Sequence, residues 1–468
     1  MLTEKYVIIW GKEGNFLKQD TLITDFTRGS IPKQLLTFAT PLFLSSLLQI
    51  AYNMVDMIIV GHRLGKVGIS AVSVGGDISN MLTFIAMGFS NAGSVIISKY
   101  VGSGQHEKIG KFIINMFILL FSIAVVFGGV CLFFREGLLT LMNTPAEAVK
   151  EALGYATVSI CGMVFIYGYN AVSAVLRGIG DSKHPFIFIS ISALLNIALD
   201  ILFVMIIPLG ATGAALATVI SQCVSFVSCL IFLYKRRQRL GFSIKLSYFK
   251  KPDKQMLLDL TKLGVPMAIK SASIHFSKLF VNSWINSYGV AVSAFAGIVN
   301  KISSVSNLIS NSLNTAGSSM VGQNIGAKRY DRVPKICLTI TAVTFCIAAL
   351  LSLSFYAFPT QIFGIFTSDK AVLKIGAEFL PIAVILFFGS AARSPANALV
   401  NGSGNYKVNF ATAILDGIVL RIGLSVLFGL VLDMKYMGFW LGDALAGFTP
   451  LFIGIVFYIS GAWKEKKL

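Results

Sequence analysis

The 468-residue chain is 55% hydrophobic and only 13% charged, with a mean hydropathy of +0.77 and a formal net charge of +18. A soluble globular chain carries roughly a quarter charged residues, so this balance excludes a water-soluble fold and points to a membrane protein. Nor does the charge mark a nucleic-acid binder: Lys and Arg lie mainly in short segments between apolar runs, with no interleaved aromatics and no nucleic-acid motif.

Residues 1–30 are polar apart from the short patch 7–10, too short for a signal-peptide core, and read as a cytoplasmic N-terminal extension. A helix crosses a bilayer with about 20 apolar residues. Segments that meet this follow at 34–60, 68–98, 112–134, 150–176, 185–206, 212–234, 258–288, 291–324, 336–358, 373–400, 407–431 and 437–462. The basic residues gather in alternate connections, which puts both termini in the cytoplasm by the positive-inside rule. The basic stretch 235–254 reads as a solvated linker on that side. The chain thus divides into an extension 1–30, a first lobe 31–235, a linker 236–257, a second lobe 258–463 and a tail 464–468. Six cysteines (131, 161, 223, 229, 337 and 346) fall in apolar stretches without CxxC spacing and are expected to be buried free thiols. There is no HExxH pattern and no nucleophile motif, so no enzyme is expected.

The two lobes repeat each other. Residues 100–104 (YVGSG) align with 324–328 (NIGAK), 92–94 (AGS) with 316–318 (AGS), and 177–183 (RGIGDSK) with 401–407 (NGSGNYK), all at one offset. Pro41 pairs with Pro266 and Gly213 with Gly438 one residue further out. The offset spans six crossings, an even number, so both halves enter the membrane in the same orientation. The expected fold is an all-α polytopic membrane protein, with twelve transmembrane helices in two six-helix bundles related by a pseudo-two-fold axis along the membrane normal. A solute cavity between the bundles follows from that arrangement. The Gly-x-Gly stretches fall at tight turns and follow no strand, so they are not phosphate loops.

Ionisable groups inside spans are costly and mark functional sites. Ser45, Gln49, Tyr52, Asn53 and Asp56 form one polar stripe on span one, Ser192, Asn196 and Asp200 another on span five, and Thr218, Ser221, Gln222 and Ser225 a third on span six. At 1.5 Å per residue, Asp56, Asp200, Thr218 and Tyr155 lie roughly 6–9 Å below the outer ends of their helices, so they can converge. Two carboxylates with an amide, a hydroxyl and a phenol suit sodium through hard oxygen ligands. They equally suit a proton shared between close carboxylates. Interhelical hydrogen bonding without transport is the plainer reading of the same residues. Asp77 on span two is either a second cavity carboxylate or a contact to a neighbouring helix. Pro41 lacks an N–H and could serve as a hinge in span one. The second half instead carries Lys270, Lys278, Lys301, Arg393 and Arg421, with Asp416 nearby in sequence. Either Asp416 and backbone carbonyls satisfy these bases, or they form the basic side of a bipolar cavity open to zwitterionic or anionic solutes.

The repeat, the LRGIGDSK turn at 176–183, the GATGAALAT opening of span six at 210–218 and GQNIGA at 322–327 resemble the MATE (multidrug and toxic compound extrusion) transporters over about residues 30–462. The resemblance implies an antiporter that exports amphipathic, mostly cationic organic solutes by alternating access against entering sodium ions or protons. It implies no cofactor beyond that ion, a monomer in a bacterial cytoplasmic membrane, and small-molecule solutes and lipid as partners, with no nucleic acid. In the DinF-like branch the cation-linked site maps onto Asp56, Asn196, Asp200 and Thr218, with tyrosines at Tyr52 and Tyr155 and sodium, if used, at Asp56 and Asp200. Gln49 corresponds to a substrate-lining Gln, and Asn53, Asn170, Ser173, Asp77 and Gln222 would join it. Ser173 stands where an Asn is frequent, and the acidic pair expected on spans seven and ten of the NorM-like branch is missing. Lys301 and Arg421 resemble basic residues common in the family. A lipid-linked oligosaccharide flippase, or an exporter of an anionic or zwitterionic metabolite, is the alternative.

Overall fold

In hydrocarbon a backbone must satisfy its N–H and C=O groups within its own segment, so the apolar runs fold as helices. The computed structural model describes residues 23–237, 242–243, 245 and 247–464, together with the backbone of 6–10 and 16–20. That backbone forms a short antiparallel hairpin, Tyr6–Trp10 against Phe16–Asp20. The rest of the expected extension before residue 23 and the tail 465–468 lie outside the described residues.

Among the described residues nine helices are long and apolar enough to cross a membrane, or ten when the bent pair Ala146–Cys161 and Met163–Gly178 counts as one span. Ile31–Gly102 has 72 residues, enough for two crossings, and is interrupted at Gly65, where φ is 58° and ψ −146°. Lys254–Asn286 has 33 residues, long enough to cross but carrying Lys262, Lys270 and Lys278. With these counted, the twelve expected spans are all present. Spans one and two are Ile31–Gly102, span three His106–Phe133, span four the bent pair, span five Lys183–Ile206 and span six Gly210–Arg236. Spans seven to twelve are Lys254–Asn286, Val290–Gly326, Val333–Ala357, Lys370–Ser403, Tyr406–Val431 and Lys435–Ile459. The loop expected at 61–67 is reduced to a break at Gly65, because a residue without a Cβ turns the backbone where others would be strained. Span four bends by 44° beside Gly162, where a Cβ would meet Val219 Cγ2 at 2.2 Å.

The repeat extends to individual contacts. A Cβ on Gly178 would meet Ile97 and the Ser94 carbonyl at 2.8 and 2.9 Å, and one on Gly402 would meet Val321 and the Ser318 carbonyl at 2.7 and 2.8 Å. These are the same positions displaced by one repeat. Spans five and eleven both widen into π-helical turns near their ends, Ile201–Ile206 and Leu427–Val431. In both halves a glycine in the first turn of the next helix, Gly213 or Gly438, packs against a carbonyl of that turn, Phe203 or Phe428. Small residues let helices approach closely where lipid offers no hydrophobic drive to associate.

The chain forms two compact units, one of residues 44–264 and the other of 26–43 with 265 onward. Each is held by its own packing. In the second, Phe295 makes edge contacts with Phe363, Phe379 and Trp440, all at 5.4 Å between ring centres. Such pairs contribute about 0.5–1.5 kcal/mol each beyond the area they cover. The N-terminal approach to span one belongs here too: the Phe26 N–H donates to Gln323, and its carbonyl accepts from Asn324 and Arg332. All six cysteines are free, but the expected burial holds only for Cys229, since Cys161 and Cys346 are exposed on the apolar exterior and the others are half-buried.

Candidate functional site

The helical repeat aligns Gln49, Tyr52 and Asp56 on span one, Asn196 and Asp200 one turn apart on span five, and Thr218 and Gln222 one turn apart on span six. Tyr52, Asp56, Tyr155, Asn196, Asp200 and Gln222 are all buried. Asn196 Nδ2 donates to Thr218 Oγ1 at 3.4 Å, and Gln49 Nε2 to the Tyr52 hydroxyl at 3.5 Å. Asp56 and Asp200 lie close enough to act electrostatically on each other and on Tyr52 and Tyr155. Residues from spans one, four, five and six thus meet inside the first unit.

Several acceptors of the cluster are left without a donor among the described residues. Asp56 Oδ1, both carboxylate oxygens of Asp200 and Asn196 Oδ1 are buried without a hydrogen-bond partner among the described residues. Leaving a buried acceptor unpaired costs about 1–3 kcal/mol, and more for a charged one. Among the described residues no Lys or Arg pairs with either carboxylate. The helix widens directly after Asp200, in the π turn that begins at Ile201, a distortion frequent at functional positions. A set of oxygen acceptors of this kind is chemically suited to a small hard cation.

Other residues singled out in the sequence lie around this centre or away from it. Ser173 is buried, and Asn170 is half-buried with its amide donating to Ile166 of its own helix at 2.8 Å. Asn53 and Asp77 are exposed and make no hydrogen bond among the described residues. Helical geometry continues through Pro41, which lies just before the point where span one passes from the second unit to the first.

In the second unit, Asp416 Oδ1 accepts from Arg393 at 3.3 Å and from Arg421 at 3.1 Å, and Arg421 also pairs with Asp443. Lys278, Arg393, Arg421 and Asp443 line one cavity, whereas Lys301 is exposed and stands apart. Lys270 is buried and donates to Asn397 Oδ1. Asp443 escaped the sequence reading, although an acid inside the apolar run of span twelve is the same signal that singled out Asp56.

The family model MatE matches residues 41–202 and, a second time, residues 266–427. Together the two copies cover well over half of the chain, in the register of the internal repeat. The chain belongs to the MatE family. MatE proteins are membrane transporters and not enzymes. The chain is 30% identical to the probable multidrug resistance protein YoeA of Bacillus subtilis over 459 residues, covering 96% of this chain and 98% of that one. It is 29% identical to the probable multidrug resistance protein YpnP of the same organism over 444 residues, covering 95% and 98%. A solved structure of a MOP superfamily transporter from Pyrococcus furiosus superposes with a TM-score of 0.85 at 22% identity, over 94% of this chain and 98% of that one. Within this MatE chain the first matched copy holds the unpaired carboxylates, and the second holds the arginines.

Proposed function

We propose that the chain is a cation-coupled efflux antiporter, expelling amphipathic, mostly cationic organic solutes by alternating access while sodium ions or protons enter. The observation that carries this reading is the pair of buried carboxylates, Asp56 and Asp200, of which Asp56 Oδ1 and both Asp200 oxygens find no donor among the described residues. A cation arriving there supplies the missing positive charge. Asn196 and Thr218 add neutral oxygens or orient the carboxylates, and Tyr52 and Tyr155 close the pocket against lipid. A cation held at these oxygens competes with the positive group of an exported solute lodged beside them, and that competition is the coupling. The solute path is lined by Gln49, Asn53, Asn170, Ser173, Asp77 and Gln222, and Pro41 is the hinge of span one.

The names of the Bacillus relatives support the multidrug side of this reading, and the acidic first half supports the DinF-like branch. The bias of Lys and Arg toward alternate connections supports a bacterial cytoplasmic membrane with both termini inside. The protein works as a monomer and needs no cofactor beyond the coupling ion.

Vesicle transport with sodium and proton gradients imposed separately is the test. One of the two gradients drives solute movement in the wild type, and Asp56→Asn and Asp200→Asn each lose that dependence. Gradient-driven transport at the wild-type rate in both variants overturns the assignment.

A further inference from the structure

We infer that the second unit contains a recognition site for the carboxylate group of an amphipathic organic solute, built by Lys278, Arg393 and Arg421. The half-open cavity they line has a volume of about 30 Å³, and Ser390 and Asn307 also line it. Three bases there face two carboxylates, Asp416 and Asp443, leaving one positive charge over before the neighbouring Lys270 is counted. Unbalanced charge inside a membrane protein is costly and calls for a counter-charge. An incoming carboxylate reduces that excess.

The two guanidinium groups also keep donor capacity that their ion pairs do not use. Arg393 and Arg421 are engaged through their Nη groups, while the Nε of each is buried without a partner among the described residues. A guanidinium presents Nε and Nη as a fork that matches the two oxygens of a carboxylate. Lys278 reaches the cavity with no ion pair among the described residues. The two acids differ in role. Asp416 is fully buried and bridges both arginines, whereas the Asp443 side chain is 20% exposed and holds only Arg421. Asp443 is therefore the carboxylate that a solute's carboxylate replaces. Leu386 and Ala444 give the same cavity an apolar wall for the body of the solute.

The inference rests on the transport reading only in taking the ligand to be an exported solute. Binding can be measured with no gradient, so the two fail separately: loss of this site with coupling intact sinks the inference alone, and the converse sinks the coupling alone. The test is titration calorimetry on the full chain in detergent, with 2-naphthoate as probe and 2-naphthylmethylammonium and inorganic phosphate as competitors. Naphthoate is expected to bind saturably, at least tenfold more weakly to Lys278→Gln and Arg393→Gln, and several-fold more tightly to Asp443→Asn. Lys301→Gln removes the same charge from an exposed position and is expected to bind as the wild type does. Lys278→Gln breaks no ion pair, so it keeps the test open should an arginine variant fail to fold. Undiminished binding by Lys278→Gln and Arg393→Gln overturns the site, as does loss of binding in Lys301→Gln. Equal displacement by phosphate or by the ammonium compound overturns the assignment to a carboxylate.

Discussion

Asp253 accepts a 2.7 Å hydrogen bond on Oδ2 from Lys111 Nζ, fastening the residue that opens span seven to the start of span three. Its other oxygen accepts from the N–H groups of Gln255 and Met256 at 3.0 and 3.2 Å, so the same side chain caps the helix. Losing such a cap costs about 1 kcal/mol, and the partly exposed ion pair contributes about 0.2–1 kcal/mol. Asp253→Ala is therefore expected to lower the unfolding temperature more than Lys111→Met, and to speed hydrogen exchange at amides 255–257. The hydrogen bond from Lys111 holds the Asp253 carboxyl below the usual carboxylate range, with the Met256 N–H helping. A group lowered on folding stabilises fully above its unfolded value, near 3.9, and the stabilisation is lost as pH falls through the folded value. In Lys111→Met the folded value lies nearer the unfolded one, so that acid loss is smaller and is complete at a higher pH. Exchange measured along a pH series shows it, and identical profiles for variant and wild type would refute the linkage.

Matched glycines predict matched penalties. Alanine at Gly178 or Gly402 drives a Cβ into a neighbouring backbone carbonyl and a β-branched side chain at under 3 Å in both halves. Overpacking of this kind costs about 1–3 kcal/mol. Gly129, exposed on span three with nothing within 4 Å of an added Cβ, is the control and should lose nothing, with a gain of about 0.5–1 kcal/mol from the better helix former. Thermal unfolding in detergent should show similar losses for Gly178→Ala and Gly402→Ala and none for Gly129→Ala. A loss in only one half would mean that the repeat is not matched in packing.

The spans were legible because apolar length and the cost of unsatisfied backbone leave a membrane segment few alternatives, and because the repeat let each half check the other. The convergence of Asp56, Asn196, Asp200 and Thr218 was legible for a related reason: helical spacing and a common depth act on every residue alike. Other features were not. Nothing in local composition distinguishes the break at Gly65 from a loop, since only the backbone angles of that residue carry the turn. Asp443 was missed because it stands alone in its span, and its partner Arg421 lies 22 residues away on another helix. Exposure is likewise a property of the assembled unit, and so the stripe that joined Asn53 to Asp56 separated into an exposed and a buried member.

Thr218 gives a graded test of the coupling cluster, because it is half-buried and bonded to Asn196 without carrying charge. Thr218→Val removes the hydroxyl while keeping the shape of the side chain. The lost hydrogen bond is worth about 0.5–1.5 kcal/mol. If it serves the cation, the apparent affinity for the driving ion should fall about 2- to 10-fold at an unchanged maximal rate, and Thr218→Ser should restore it. The concentration dependence of transport on the driving cation measures this. Unaltered affinity in Thr218→Val would place the hydroxyl outside the coupling site.

Asp416 and Asp443 should part company in stability. Removing one member of a buried ion pair costs about 3–5 kcal/mol, mostly because the other charge is left behind. Asp416→Ala strips Arg393 of its ion pair and leaves Arg421 with Asp443 alone, so it should show the full loss. Asp443→Asn leaves Arg421 bonded to Asp416 and acts on a side chain that already reaches solvent, so it should cost clearly less. The double variant Asp416→Ala with Arg393→Ala should recover part of the loss, because it removes the stranded charge along with its partner. Thermal unfolding of the four proteins in one detergent decides the matter, with Asp416→Ala expected lowest and the double variant above it. Equal unfolding temperatures for Asp416→Ala and Asp443→Asn would show that the two carboxylates share the work of holding the arginines, and Asp443 would then be a structural counter-charge like its neighbour.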